Sequence, residues 1–198
     1  MQEDKRVKKT KKLLKETMLS LLQAKPLEQI SVKELCTASD TSRVTFYSHY
    51  ADKFELVDAI FEDIIFEATD KYHDIQAANN PLGDPITSYC NMLDCILDIY
   101  YGHSEVFAHG PMDQESCSYV NYKFMQCVIA YVQHRIEKES NRLMPKYSLP
   151  KISGFITHGM WGFITAATDE GMPLPEIREQ AKELLRNLLK SNILTVLT

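Results

Sequence analysis

Side chains that can donate hydrogen bonds are concentrated in one short stretch of the chain, residues 41–53. It holds an arginine, a lysine, a histidine, two tyrosines and four Ser or Thr hydroxyls. An Arg guanidinium can form paired hydrogen bonds to guanine O6 and N7, whereas hydroxyls and Tyr OH groups bind phosphate oxygens without reading sequence. The stretch therefore predicts a surface that lies against the phosphates and base edges of DNA.

Patterns that are typical of enzymes do not occur in the sequence. There is no G-x-G-x-x-G, P-loop, G-x-S-x-G or H-E-x-x-H. His103, His109 and Cys117 are the nearest to a metal-ligand set, but their spacing crosses Gly110 and Pro111 and fits no usual pattern. We expect no catalytic residues, no metal and no cofactor. A helical metal- or redox-dependent enzyme that uses these histidines or the cysteines stays as a distant alternative.

Charge is distributed unevenly along the 198 residues. The net charge is −5, yet residues 1–53 carry 11 Lys and Arg against 7 Asp and Glu, which gives +4, and residues 54–198 carry 11 against 20, which gives −9. A basic N-terminal part on an acidic remainder can bind a polyanion through one end only. The length allows a small domain followed by a larger one.

The cysteines and apolar segments indicate the compartment. Five cysteines are an odd number and show no C-x-x-C spacing, so a disulfide framework is not indicated. The apolar runs are interrupted by polar residues, and the basic start lacks the apolar core of a signal peptide. We expect no membrane span and a location in the reducing cytoplasm.

Local signals predict how the N-terminal helices begin and end. Lysines open an amphipathic first helix, which Pro26 terminates because it has no N–H to donate. Ser31 and Glu34 form a capping box at the start of a short second helix. Asp40 suits a left-handed turn, and Ser42 is a good N-cap for a third helix that runs to about His49.

A further D-x-x-E box, Asp52 to Glu55, predicts the start of a fourth helix. The order of helix, short helix, tight turn and short helix is the helix-turn-helix arrangement, whose second short helix enters the major groove. We assign Phe46 and Tyr50 to packing between these helices, and Tyr47, which lies between polar neighbours, to a phosphate contact.

Residues 8–60 resemble the TetR family of transcriptional regulators. The resemblance rests on Thr10 and Leu14, on Ile30 to Val32, on Leu35 to Ala38, on Ser42 to Tyr50, and on Lys53 with Leu56. Three positions depart from the family pattern. Asp40 and Val44 stand where the family often has Gly, and Thr41 stands where it usually has Val. Val44 matters most, because it is expected to face a thymine methyl group.

The resemblance implies roles for single residues. Arg43, Val44 and Ser48 are expected to read bases, and the expected phosphate contacts are Ser31, Thr45, Tyr47, His49 and Lys53. Ser42, Lys8 and Lys9 complete the expected DNA-binding set. Lys8, Lys9, Arg43 and Lys53 are each expected to displace counterions, which makes binding salt-dependent.

The rest of the chain predicts a larger helical body. A Pro- and Gly-containing loop at residues 79–85 and breaks near residues 110 and 145 separate the helices, of which we expect about nine in total. By resemblance the body binds a small-molecule effector, although each residue taken singly is more typical of ordinary core. The candidate ligand residues are Tyr89, Tyr100, Phe107, Phe124, Met125, Tyr131, His158 and Trp161.

The last two predicted helices are typical of a subunit interface. Gly159, Gly162 and Ala166 would let another helix approach closely, and the final helix carries a leucine stripe wider than one neighbouring helix needs. That stripe includes Leu184, Leu185, Leu188 and Leu189. The junction Asp169 to Pro173 also resembles the C-terminal region of a TetR subgroup that includes regulators of dihydroxyacetone kinase genes.

The sequence thus predicts an all-α protein with a helix-turn-helix domain at residues 1–53 and an effector-binding and dimerisation domain at residues 54–198. The expected function is that of a homodimeric DNA-binding transcription regulator, a repressor released from a palindromic operator by a small molecule. A second possibility is a TetR-like coregulator whose body docks a protein partner instead of a metabolite.

Overall fold

A computed structural model describes residues 5–108, 118–138 and 143–196. The nine α-helices in this part of the chain confirm the predicted all-α class. They are α1 Lys5–Ala24, α2 Val32–Ala38, α3 Arg43–Tyr47, α4 Lys53–Asn79, α5 Pro85–Gly102, α6 Ser104–Phe107, α7 Tyr119–Lys138, α8 Leu149–Asp169 and α9 Leu174–Leu188. A single 3₁₀ turn, Leu27–Gln29, connects α1 to α2.

The apolar pattern predicts one final helix from Pro175 to about Thr195, and the structure differs from that prediction. Helix α9 ends at Leu188 and a π-helical turn follows at Leu189–Ile193. Two short strands, β1 Leu143–Pro145 and β2 Leu194–Val196, then pair in antiparallel fashion. The last backbone groups therefore bond to a distant segment instead of continuing a helix.

The chain packs as two compact units. The head unit comprises residues 1–66 and 100–124, and the body unit comprises residues 67–99 and 125–198. Packing thus groups α6 and the first residues of α7 with the helix-turn-helix. The division between residues 53 and 54 remains a prediction about function.

The core of the head unit follows the helical period of its sequence. On α1, Leu14, Met18 and Leu22 recur at every fourth residue and are buried. Leu35 of α2 and Phe46 of α3 have no exposed surface. One fully buried ring therefore fixes the rotation of the five-residue α3 about its axis.

In the body unit, Gly171 ends α8, a helix stop that the glycine followed closely by Pro173 predicts. Its φ of 78° lies in the left-handed region, where glycine has no Cβ penalty. The Met172 N–H donates to Ala167 O at 3.0 Å, and the Gly171 N–H donates to Thr168 O at 2.9 Å. Pro173 is the N-cap of α9, so the two helices are joined by a short turn.

Charged side chains connect three helices of the body unit. Arg178 of α9 binds two carboxylates of α5, Asp94 at 2.9 Å and Asp98 at 2.6 Å. Lys182 binds Asp94 at 2.9 Å, and Lys71 of α4 binds Asp98. Burial alone would raise the pKa of Asp98, but the hydrogen bonds from Lys71 and Arg178 outweigh it, and the pKa lies below its ordinary value.

Amide side chains form a second connection in the body unit, between α4 and α5. The Asn91 Nδ2 group donates to Gln76 Oε1 at 2.9 Å and to Asn79 Oδ1 at 2.7 Å. Asn79 Nδ2 donates back to Asn91 Oδ1 at 3.0 Å. Asn91 is buried, so this exchange satisfies polar atoms that water cannot reach.

Candidate nucleic-acid interface

Helix α3 presents one polar face to solvent because both its start and its inner side are fixed. Ser42 is the predicted N-cap, and its Oγ accepts from the Thr45 N–H at 3.0 Å and lies 2.8 Å from Thr45 Oγ1. With Phe46 fully buried, Arg43, Val44 and Ser48 point outward, and Val44 is 81% exposed. The apolar side chain of Val44 is therefore exposed to solvent, next in sequence to the guanidinium of Arg43.

The turn before α3 has the predicted geometry. Asp40 has a φ of 47°, the left-handed conformation that Asp tolerates. The Thr41 N–H donates to Cys36 O at 2.9 Å, which closes the C-terminal end of α2. Together with the capped start of α3, this turn fixes the angle between α2 and α3.

Only half of the predicted capping box at α2 forms. The Ser31 Oγ accepts from the Glu34 N–H at 3.1 Å, as expected. The Glu34 carboxylate instead accepts from Lys25 Nζ at 2.7 and 2.8 Å. The hydrogen bond from Lys25 lowers the pKa of Glu34. The reciprocal bond was wrongly predicted because a lysine from the end of α1 captures the carboxylate.

An open groove of about 490 Å³ lies beside α3 in the head unit. Lys33 and Thr37 border it from α2, although neither was predicted as a site residue. They are one helical turn apart on the side of α2 that faces away from the buried Leu35, and that spacing is the signal that identifies them. The lining residues are Lys33, Cys36, Thr37, Asp40, Thr41, Ser42 and Arg43.

The remaining predicted DNA contacts differ in exposure. Lys8 and Lys9 are exposed on α1, Ser31 is exposed, and Tyr47 is 56% exposed. Thr45 and His49 are half-buried. The Ser48 Oγ donates to Thr45 O at 2.7 Å, which leaves its lone pairs facing outward as acceptors.

Lys53 has an inward role that the sequence did not indicate. Its Nζ donates to Leu27 O at 2.7 Å, to Ile30 O at 2.9 Å and to Glu28 O at 3.2 Å. These carbonyls belong to the 3₁₀ turn and the residue after it, so the ammonium connects the start of α4 to the segment between α1 and α2. A phosphate contact by Lys53 remains a prediction, and its three N–H donors are already engaged.

The start of α7 is held against α4 within the head unit. Tyr119 donates its hydroxyl hydrogen to Asp58 Oδ1 at 2.7 Å, and Lys123 Nζ lies 2.9 Å from the same oxygen. The Tyr119 ring packs edge-on against Phe54 at a centroid distance of 4.8 Å. Burial and the bond to Asp58 raise the pKa of Tyr119 above its ordinary value. These contacts stabilise the first turns of α4.

The predicted ligand residues belong to both units. Tyr100, Phe107 and Phe124 form an aromatic cluster in the head unit, with centroid distances of 4.8 to 6.1 Å. His158 is exposed on α8, and Met125 is buried. The ligand-binding role of these residues stays a prediction, and packing assigns them to two different units.

In the body unit, Tyr131 lies edge-on to Tyr72 at 6.4 Å, and burial raises its pKa to about 12. Tyr89 and Trp161 are the members of the predicted set that line a cavity of about 40 Å³. The lining residues come from four helices and are Tyr89, Met92, Leu93, Ile96, Val128, Val132, Ile156, Thr157, Met160, Trp161, Ile164 and Leu185.

The predicted dimer residues divide between two faces. Gly159, Gly162 and Ala166 are exposed on α8, and a Cβ at either glycine would meet no atom within 4 Å. Packing within one protomer therefore does not require glycine at these positions. Leu184 and Leu188 of α9 are half-buried.

The other two leucines of the predicted stripe face inward. Leu185 and Leu189 are only 3% and 4% exposed, so they belong to the core of the body unit. They are four residues apart and therefore share one side of the helix. The predicted stripe is thus divided between the inner and outer sides of the C-terminal segment.

Among the described residues, no group of three His, Cys, Asp or Glu side chains is placed to hold a metal ion. His109 and Cys117 lie outside these residues. In the same part of the chain, no helix combines the length and apolarity that crossing a membrane requires.

Solved structures share this architecture at low sequence identity. A TetR-family transcription regulator from Shewanella sp. PV-4 superposes with a TM-score of 0.63 at 18% identity, covering 90% of this chain and 97% of that one. A TetR-family regulator from Syntrophomonas wolfei gives 0.63 at 12% identity and covers 94% and 95%. The chain has the fold of TetR-family transcription regulators.

The TetR fold also includes a protein related to the predicted subgroup. DhaS, described as a dihydroxyacetone kinase operon activator, superposes with a TM-score of 0.53 at 17% identity and covers 91% of this chain and 96% of its own. No family profile and no curated protein sequence matches the chain. The shared TetR fold extends the resemblance of residues 8–60 to nearly the whole chain.

Proposed function

We propose that this protein is a sequence-specific DNA-binding transcription regulator that places α3 in the major groove. The observation that carries the proposal is the outward face of α3. Arg43, Val44 and Ser48 are exposed there, and the buried Phe46 fixes the direction in which they point. A short helix with a guanidinium, a methyl-bearing side chain and a hydroxyl suits base edges in that groove.

Each exposed group has a matching partner on DNA. Arg43 forms paired hydrogen bonds to guanine, and Val44 packs on a thymine methyl group. Ser48 accepts from an adenine or cytosine amino group. The phosphate contacts come from Ser31, Ser42, Thr45, Tyr47, His49, Lys8 and Lys9, with Lys33 added by the groove beside α3.

The active form is a homodimer that reads a palindrome. One five-residue helix contacts too few base pairs, whereas two α3 helices about 34 Å apart read two half-sites on one face of DNA. Phe155 is 57% exposed on α8 next to the exposed Gly159 and Gly162. These residues, with Ala166, Leu184 and Leu188, form the proposed dimer face.

The body unit regulates the head through a small-molecule effector, and the protein acts in the cytoplasm as a repressor that the effector releases. The cavity among α5, α7, α8 and α9 is the site that supports this part of the proposal. It lies on the inner side of α8, and the proposed dimer face lies on the outer side.

Operator selection followed by binding measurements tests the DNA-binding role. Random duplexes selected by the purified protein should yield a palindrome, to which Arg43→Ala should bind about 10- to 100-fold more weakly. The matched control is Lys151→Ala, which removes an exposed cation from α8 and should leave affinity unchanged. Equal affinities of wild type and Arg43→Ala, with both folded by circular dichroism, would overturn the assignment of α3.

A further inference from the structure

The cavity in the body unit is lined mainly by apolar side chains from four helices. Helix α5 supplies four lining residues, α7 two, α8 five and α9 one. None of the lining side chains carries a charge. An ion in this cavity would lose its hydration without gaining a counter-charge, so the cavity selects uncharged compounds.

One polar group in the lining is available for a ligand. Thr157 is 6% exposed, and among the described residues its Oγ1 has no hydrogen-bond partner. A buried hydroxyl without a partner is destabilising, and a ligand that supplies a donor or acceptor removes that penalty. Thr157 therefore favours compounds with one hydroxyl or carbonyl group.

The resting size of the cavity links binding to helix displacement. Its volume is about 40 Å³, whereas an apolar cavity that holds benzene measures about 150 Å³. A ring-sized compound therefore enters only if the walls move. Met92 lines the cavity from α5 and Met160 lines it from α8, and methionine side chains adapt readily to a new shape.

We infer that this cavity binds an uncharged, ring-sized compound with one hydrogen-bonding group next to Thr157, and that binding enlarges the cavity. The size requirement rests on the proposed function, because an effector must interact differently with two states of the protein. A compound that fits the resting cavity would move no helix and would stabilise the resting state.

The displaced helices are those that carry the proposed dimer face. Trp161 lines the cavity and the next residue, Gly162, is exposed on α8. Leu185 lines it from α9, between the half-buried Leu184 and Leu188. Enlarging the cavity therefore moves α8 and α9, and in a dimer the distance between two DNA-reading helices would change.

Trp161 makes binding directly measurable, because it is the only tryptophan in the chain. Tryptophan fluorescence of the full-length protein without DNA would be titrated with benzyl alcohol, toluene, benzoate and benzylamine. Benzyl alcohol should change the emission with a saturable curve. Benzoate and protonated benzylamine should bind at least about tenfold more weakly. Equal affinity for all four probes would overturn the inferred selectivity.

Two variants test the geometry. Thr157→Val keeps the shape and removes the hydroxyl, so benzyl alcohol should lose about three- to tenfold in affinity while toluene changes less than about twofold. Thr168→Val, at an exposed position of the same helix, is the control. Val132→Phe should fill the cavity and abolish both titrations. Saturable binding of both probes to a folded Val132→Phe protein would place the site elsewhere.

A separate measurement distinguishes the failure of this inference from that of the proposed function. Benzyl alcohol should weaken binding to the selected operator, and benzoate at the same concentration should not, since the uncharged cavity disfavours an ion. Saturable binding of benzyl alcohol in the fluorescence titration, without release of the operator, would support the binding site and contradict the inferred enlargement of the cavity. If the protein binds the operator but no probe changes its fluorescence, the proposed DNA-binding function would be supported and the inferred binding site would be overturned.

Discussion

The head unit and the body unit use their charged side chains in opposite ways. In the head unit, Lys8, Lys9, Lys33 and Arg43 are exposed around the helix-turn-helix. In the body unit, the cationic groups of Arg178, Lys182 and Lys71 are bound to Asp94 and Asp98 of the same protomer. The first set is available to an external anion, and the second set connects helices.

This difference explains how a protein with a net charge of −5 can bind a polyanion. Residues 1–53 carry +4 and expose the cations around the helix-turn-helix, whereas Arg178, Lys182 and Lys71 are bound to carboxylates, so the available positive charge is concentrated near α3. Among the exceptions in the head, Lys53 binds backbone carbonyls, and Lys25 and Lys123 bind the carboxylates of Glu34 and Asp58. The four predictions that follow test this comparison, from the largest expected effect to the smallest.

Salt should weaken operator binding far more than it weakens folding. If Lys8, Lys9 and Arg43 of two protomers displace counterions, affinity should fall about a thousandfold between about 50 and 200 mM salt. Fluorescence anisotropy with the selected operator measures this slope. The urea midpoint of unfolding, followed by circular dichroism over the same salt range, is the control and should change little. A loss below about tenfold would contradict the exposed role of the head cations.

Lys53→Met should destabilise the head unit. The substitution keeps the aliphatic stem but removes three hydrogen bonds to carbonyl oxygens, and should lower the free energy of unfolding by about 2 kcal/mol. Urea denaturation measures the change. Lys33→Met, at an exposed position of α2, should change it by less than about 0.5 kcal/mol. Unchanged stability of Lys53→Met with weakened operator binding would instead support a phosphate contact.

Asp98→Asn should lower the stability of the body unit in a pH-dependent manner. The folded-state pKa of Asp98 lies below its ordinary value of 3.8. The ionised Asp98 therefore contributes its full stabilisation to the folded state above pH 3.8, and this stabilisation is lost as the pH falls through the folded-state pKa. Because the side chain is 33% exposed, the loss at pH 7 should be about 1 kcal/mol.

Urea unfolding of Asp98→Asn at pH 7 and at pH 3 checks this dependence, with Asp74→Asn, exposed on α4, as the control. The difference in the free energy of unfolding between Asp98→Asn and the wild type should be smaller at pH 3 than at pH 7. A larger difference in the free energy of unfolding at pH 3 would show that the ion pairs with Lys71 and Arg178 do not stabilise the fold.

Val44→Ala should have the smallest effect, limited to one base position. Loss of two partly buried methyl groups should cost less than about 1 kcal/mol, or about three- to fivefold in affinity. Replacing each operator thymine by uracil, which lacks the methyl group, identifies the position. At that position the losses of binding free energy caused by Val44→Ala and by the uracil replacement should not be additive. Full additivity at every thymine would show that Val44 contacts no methyl group.

Local features of both units were predictable because their causes lie within a few residues. The Ser42 cap, the left-handed Asp40, the Gly171 helix stop and the burial of Phe46 follow from short-range hydrogen bonding, steric limits and the helical period. The all-α class and the charge asymmetry between the two parts of the chain were likewise readable without coordinates.

Other features depended on which distant segments pack together. The sequence alone combined Tyr100, Phe107 and Phe124 with Tyr89 and Trp161, whereas packing separates them into two units. It assigned Leu185 to a partner subunit, and α9 turns that leucine inward.

By itself, the sequence determined most of the helices, the Ser42 cap and the polar face of α3, because these depend on neighbours within one or two helical turns. Only the tertiary structure decided the partners of Lys53, Glu34 and Arg178 and placed Thr157 in an apolar cavity. Such partners come from other elements, and a long side chain or a buried hydroxyl has no local signal for which of them it will meet.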